Sequence, residues 1–303
     1  MQNLYALKAW QETGDDEMRK KIQVAQQHTM AHLEQSGRLF IHLLYTLCEV
    51  AQYADMDARQ RAAKYIPTEE DLHVSTKIVQ NSLVRKTLEN KDFSALAKEG
   101  QMDSRTDPEL IKKLYGRFIA TEAYQTYTSQ AEPTRAADIK VLGALFNDLL
   151  MKDEDFTQYM DDLYLQWQDD RSMMKMLVMS YFNKPDGYDF THFVEKEKKE
   201  YAAELIRTVL EKKNYCLEWI TPRLQNWDPK RVAIIDMLLL HMAVCEFLFF
   251  PSIPPKVTMN EYIELGKRYS TIHSGQFING VLDNVLKDLK SKGLLNKTER
   301  AGK

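Results

Sequence analysis

Residues 227–247 read WDPKRVAIIDMLLLHMAVCEF, and residues 255–286 read PKVTMNEYIELGKRYSTIHSGQFINGVLDNVL. From Val232 to Phe250 nearly every position is apolar, so no single face is set aside for water. A helix of that kind lies at the centre of a bundle or in a membrane. Asp236, His241 and Glu246 interrupt the run at intervals of five. Three such groups are costly in lipid, so the stretch predicts the central core helix of an all-α protein, with Arg231 to Phe249 as its most buried helix. Asp228 is placed to cap it and Pro229 to be its first residue. The SIPP sequence at Ser252 to Pro255 ends it. Thr258-x-x-Glu261 is a capping-box pattern for the next helix, with Val257 stapling onto Tyr262. A last helix opens at Ser274, and Phe277, Ile278, Val281, Leu282, Val285, Leu286 and Leu289 follow the helical period.

The composition outside this stretch agrees. Of 303 residues, 44% are hydrophobic, enough for a core, and 11 Gly and nine Pro are too few for the many tight turns of an all-β chain. The three cysteines lack CxxC spacing, so Cys245, inside the central helix, is expected as a reduced, buried thiol of a cytoplasmic protein. No basic segment followed by a short apolar run marks a signal peptide at the start. The net charge of −3 is unevenly spread: residues 229–303 carry 11 Lys and Arg against 7 Asp and Glu, and the remainder 30 against 37. A modestly basic end on an acidic body fits either a nucleic-acid surface or a solvated tail.

The long N-terminal part reads as helices. A helical pattern runs from Asp15 to Tyr65 with a break expected at Ser36-Gly37, and Thr68 is placed to cap the next element. A polar connection is expected from Asn90 to Asp107, and Asp107-Pro108 starts a further helix. Pro133 marks another break, and Asp138 to Phe182 suggests two helices. Met173, Met174, Met176 and Met179 cluster there and are read as core filler. The Pro185 and Asp186-Gly187 breakers put a domain boundary at Asn183 to Gly187. The expected division is therefore an N-terminal helical subdomain, 1–187, and a C-terminal one, 188–303. The charge run EKEKKE near Lys196 reads as a solvated helix face.

Signs of catalysis are absent from the sequence. It holds no Walker-type phosphate loop, no dinucleotide GxGxxG and no nucleophile elbow. His28 and His32 are one helical turn apart, but no glutamate or cysteine completes a metal site. Asp161-Asp162 and Asp169-Asp170 are adjacent pairs, which do not converge on a helix. Gly280 lies inside a helical period at a cost of about 1 kcal/mol relative to Ala, so a close neighbour is expected there, either a packed helix or an RNA backbone.

The patterns DxxLLxxAxxEF, IPxKVxxNEYIELGKRY and SGQFINGVL, together covering roughly Tyr201 to Lys287, resemble the carboxyl-terminal half of the transcription antitermination factor NusB family. MQNLYA at the start is similar to that family's first helix. The stretch 14–190 is longer than the family needs, and the family's arginine-rich arm does not stand before Met1, so a long variant with weakened RNA affinity is expected. The resemblance implies an all-α fold of two packed helical subdomains, here with extra helices in the N-terminal part. It implies a non-enzymatic, cytoplasmic protein without cofactor or membrane span. Such a protein binds boxA-type single-stranded RNA with the ribosomal protein NusE and acts with the RNA polymerase antitermination complex on ribosomal RNA operons. It places Phe277, with Gln276 beside it, close to RNA, although Phe277 also fits the apolar stripe of its helix. Lys230, Lys256 and Lys267 are candidate phosphate contacts. Tyr5 and Asp236 are implied at the protein-partner surface. The loop position there that is often acidic in the family is His273 in this chain. A protein-binding scaffold without RNA affinity is the alternative, and so, more remotely, is the helical module as it occurs fused to RNA cytosine methyltransferases.

Overall fold

A computed structural model describes the chain except residues 7–13, 133, 225–231 and 298–303, and the side chain of Asp15. All regular structure among the described residues is helical. In chain order the helices are α1 (Gln2–Ala6), α2 (Asp15–Ala62), α3 (Glu69–Leu72), α4 (Ser82–Glu89), α5 (Lys91–Glu99), α6 (Met102–Arg105), α7 (Pro108–Ile119) and α8 (Glu122–Ser129). They continue with α9 (Arg135–Gly143), α10 (Glu154–Leu163), α11 (Trp167–Asn183), α12 (Lys196–Glu211), α13 (Lys213–Ile220), α14 (Ile234–Phe249), α15 (Pro255–Tyr269) and α16 (Ser274–Ser291). A π-helical turn, Ala144–Leu150, extends α9, and short 3-10 turns occur at Lys77–Gln80 and Thr221–Arg223. No described helix is long and apolar enough to cross a membrane.

The chain forms two compact units, residues 1–32 with 195–303, and residues 33–194. The division therefore falls at Val194/Glu195 rather than at Gly187, and the first 32 residues group with the C-terminal part rather than with the stretch that follows them. The breakers are real local features: α11 ends at Asn183, and Gly187 has a φ of 71°, which suits glycine. They end a helix without ending the unit, because Tyr188, Phe190 and Phe193 fold back against the ring of Phe40.

In the first unit α14 is the axis. Every residue from Leu238 to Phe247 is buried, the longest unbroken buried run among the described residues, as its all-round apolarity predicts. The helix starts at Ile234, with Ala233 at the cap position and no side-chain cap. The expected start at Asp228-Pro229 lies outside the described residues. Helices α12, α13, α15 and α16 pack around α14, and α1 inserts Leu4, 1% exposed, into the same core. Helix α15 begins at Pro255, so the Thr258–Glu261 capping box does not form. Pro255 supplies the fixed φ of a first helical position, which moves the start three residues ahead of Thr258 and buries that side chain within the helix. The three cysteines are buried and free, with the Cys216 and Cys245 sulfurs 3.3 Å apart.

The second unit is built on the later part of α2. The break expected at Ser36-Gly37 does not occur. Ser36 donates to Asp170 Oδ2 at 2.5 Å instead of turning the chain, and Phe193 packs over Gly37, where a methyl would stand 3.4 Å from it at ordinary contact distance. Thr68 caps α3 in a capping box with Asp71, and Asp107 caps α7 with Pro108 at its first turn, both as the sequence predicts. The polar connection expected from Asn90 to Asp107 is in fact α5 and α6. Asn90 caps α5 by accepting from the Phe93 amide at 2.9 Å, and Phe93, Ala97 and Met102 are buried beneath a polar surface. The stretch from Asp138 to Phe182 holds three helices rather than two, because Asp153 caps a new one, accepting from Phe156 N at 3.0 Å. Of the methionines, Met174 is buried, whereas Met173 and Met176 are 37% and 68% exposed.

Candidate RNA and protein-partner surface

The candidate residues that can be placed all belong to the first unit, and most gather where α15 hands over to α16. The close approach of these helices depends on two glycines. A methyl at Gly266 would come within 2.5 Å of Ile278 Cδ1, and one at Gly275 within 2.8 Å of Lys267 Cγ. The aliphatic stem of Lys267 therefore lies over the first turn of α16, while its ammonium pairs with Glu264 at 2.6 Å and stays largely in water. Next to Gly275, Gln276 is exposed and Phe277 half-buried against the core. Beyond them, Gly280 has nothing within 4 Å of where a methyl would stand, so no packed helix explains it.

Lys256 sits in the first turn of α15, eleven residues from Lys267. At 1.5 Å per residue that is about 16 Å along the helix, so Lys256 is apart from the Lys267–Gln276–Phe277 group. Lys230 lies outside the described residues.

At the partner side, α1 turns Leu4 inward and leaves Tyr5, the next residue, 49% exposed. Helix α1 packs on α14, whose first turn holds Asp236. Asp236 is only 6% exposed. Its Oδ2 accepts from the Ser274 hydroxyl at 2.9 Å. Ser274 in turn accepts from the Thr271 amide at 3.0 Å and from the Thr271 hydroxyl at 2.8 Å. This chain of bonds ties the start of α14 to the loop that carries exposed His273 and Ile272, the latter 90% exposed. Asp236 thus holds the loop from within, and Tyr5, Ile272 and His273 are the groups at the surface. Ile234, 53% exposed, is the first residue of α14, two positions before Asp236.

Several interactions that the sequence did not reveal stabilise this module. Glu246, buried at 4%, accepts from the hydroxyls of Tyr201 and, at 3.3 Å, of Tyr262. Burial first, with the neighbouring Glu246 adding to it, pushes both phenols above the ordinary tyrosine range. Lys297 donates to the carbonyls of Glu246 and Phe250, each at 2.8 Å, and so satisfies the C-terminal end of α14. Burial lowers the Lys297 pKa. Arg223 grips Asp288 through Nε at 2.8 Å and through Nη2, and stacks over Trp219 at 5.6 Å. The glutamate of the EF pair was visible as an interruption of an apolar run. Its two tyrosines, 45 and 16 residues away, were not.

The buried acids of the unit therefore bind helices to one another, and the exposed groups are a mix of cations, an amide and aromatic or aliphatic edges. A profile described as the NusB family matches residues 162–287. The transcription antitermination protein NusB of Salinibacter ruber is 46% identical over 102 residues, which are 34% of this chain and 64% of that protein. The NusB of Chloroherpeton thalassium is 40% identical over 102 residues, covering 34% of this chain and 48% of its own. The NusB of Methylacidiphilum infernorum is 37% identical over 111 residues, 37% of this chain and 77% of its own. The chain belongs to the NusB family, whose members are not enzymes. It spans about half to two thirds of the length of the first two of these relatives. No solved structure matches.

Proposed function

We propose that this protein is a transcription antitermination factor of the cytoplasm. In this reading it binds boxA-type single-stranded RNA together with the ribosomal protein NusE and acts with RNA polymerase on ribosomal RNA operons. The observation that carries the reading is the grouping of Lys267, Gln276 and Phe277 at the α15–α16 junction, inside the region matched by relatives named as antitermination proteins. Single-stranded RNA is held by cations on its phosphates and by aromatic and amide side chains on its unstacked bases, and this group supplies one of each. Tyr5, on α1, and the loop residues Ile272 and His273 form the protein-facing side, the loop being positioned by the bonds from Asp236 through Ser274 to Thr271.

The test is the affinity of the full chain for a boxA RNA, with and without NusE, at several salt concentrations. A base stacked on an aromatic ring contributes about 1–3 kcal/mol, so Phe277→Ala is expected to weaken binding about tenfold or more. Thermal unfolding of the same variant separates lost stacking from lost packing. A folded Phe277→Ala protein that binds RNA as the parent does removes the stacking role. A parent that binds NusE but no RNA is a protein-binding scaffold.

A further inference from the structure

In the second unit, helix α2 and two helix junctions line a polar pocket of about 250 Å³. Gln35 and Arg38 reach it from α2, Glu99 to Met102 and Arg105 from the α5–α6 junction, and Leu163 to Gln166 from the α10–α11 junction. Both arginines are exposed, and neither forms an ion pair with a described residue, although most arginines of this unit do. Glu99 is the one carboxylate in the lining, so the cavity carries a net positive charge.

The floor is held rigidly. Thr106 spends its hydroxyl proton on the Met102 carbonyl at 2.7 Å, so at 3.3 Å it accepts from His42 Nε2–H. His42 Nδ1 is then an acceptor and takes the Tyr164 hydroxyl proton at 3.0 Å. Burial foremost, and then the charge of Arg105, keep His42 neutral, with its pKa down at about 4. The neutral imidazole of His42 thus stands behind the lining residue Tyr164 and adds no charge there.

A backbone feature marks the same lining. Gln101 takes a left-handed backbone conformation, φ 53° and ψ 43°, alone among the described non-glycine residues. Such conformations persist where the surroundings impose them, and they cluster at binding sites. Beside the cavity Leu165 is fully exposed, which leaves the mouth of the site lined by an apolar group as well as by cations.

We propose that this pocket binds a phosphate group carried by a small soluble ligand, held between Arg38 and Arg105. Guanidinium forks match the oxygens of a phosphate two at a time, and a pocket of about 250 Å³ has room for a compact phosphate ester. The site is independent of the RNA reading above, since no residue of the α15–α16 junction contributes to it.

The experiment is calorimetric titration of the full chain with inorganic pyrophosphate at low ionic strength. Saturable binding is expected. Arg38→Gln and Arg105→Gln are each expected to weaken it about tenfold, and Glu99→Gln to tighten it. Arg59→Gln, which removes the same charge from the exposed pair with Asp55, is expected to leave it unchanged. Circular dichroism confirms that each variant is folded. A short single-stranded oligonucleotide added as competitor identifies the source of the phosphate: displacement of pyrophosphate assigns the site to a nucleic-acid backbone, and indifference to a soluble ester. Absence of saturable binding, or equal weakening by Arg38→Gln, Arg105→Gln and Arg59→Gln, overturns the proposal.

Discussion

Ser274 shows how much one hydroxyl can decide. It donates to Asp236 and accepts twice from Thr271, so three groups are satisfied by a residue 1% exposed. Ser274→Ala leaves a buried carboxylate oxygen without its donor, and a buried group left unmatched costs about 1–3 kcal/mol. Chemical denaturation is expected to show that loss, together with weaker binding of the protein partner as the 271–273 loop loosens. A second residue-level outcome concerns protons. Burial, with Arg105 and Lys213 adding respectively, holds His42 and His241 at about 4, against 6.5 for a free imidazole. Between those values the unfolded chain binds more protons than the folded one, so stability falls as pH drops from 6.5 towards 4. Near pH 5.5 unfolding is expected to take up about two protons from this pair alone, read as the slope of unfolding free energy against pH. His42→Gln is expected to remove about one of them, and a slope unaffected by that change would mean that His42 is protonated in the folded protein.

At the scale of elements, the α15–α16 pair depends on where its glycines fall. At Gly266 a methyl collides with Ile278, which is fully buried and has nowhere to go, so Gly266→Ala is expected to cost about 1–3 kcal/mol. At Gly275 it meets the stem of an exposed lysine that can swing aside, so Gly275→Ala is expected to be milder. At Gly280 it meets nothing, and the usual gain from removing a helical glycine, about 0.4–1 kcal/mol, is expected. Thermal melting of the three variants checks the order. If Gly280→Ala stabilises the protein yet weakens RNA binding, the open space there is filled by RNA. From the sequence only Gly280 stands out as a glycine inside a helical period. The separation of the three into tight, yielding and open needed the neighbouring helix.

For the molecule as a whole, the footprint of a bound strand is the quantity that the separate residues leave open. Lys256 and Lys267 lie at opposite ends of α15, about 16 Å apart by helical rise. For single-stranded nucleic acid each phosphate contact contributes about 0.7 to the slope of log affinity against log salt. If RNA runs the length of α15, Lys256→Ala and Lys267→Ala are each expected to flatten that slope by about 0.7. If it is confined to the α15–α16 junction, only Lys267→Ala does. The comparison uses the same RNA at three or more salt concentrations, and an unchanged slope in both variants would place the contacts elsewhere.

Residue pattern alone settled the helical class, the central place of α14 and the register of α16, because a buried helix must be apolar all round and a flanking one must show a stripe. It also placed the caps of α3 and α7, where Thr68 and Asp107 bond to amides two or three residues away. What it missed depends on partners far off in the chain. The 48-residue α2 passes through Ser36-Gly37 because Asp170 and Phe193 take up the side-chain bond and the empty space there. The sequence 90–107 is polar enough to look like a loop, and it folds into α5 and α6 because Phe93, Ala97 and Met102 find a core. Asp236 reads as an exposed acid at the start of a helix, and only the approach of Ser274 makes it a buried tie. Local propensity and periodicity are written in neighbouring residues. Which unit the first 32 residues join, and which cations share a surface, are fixed by burial across more than a hundred residues, and those were decided only by the tertiary structure.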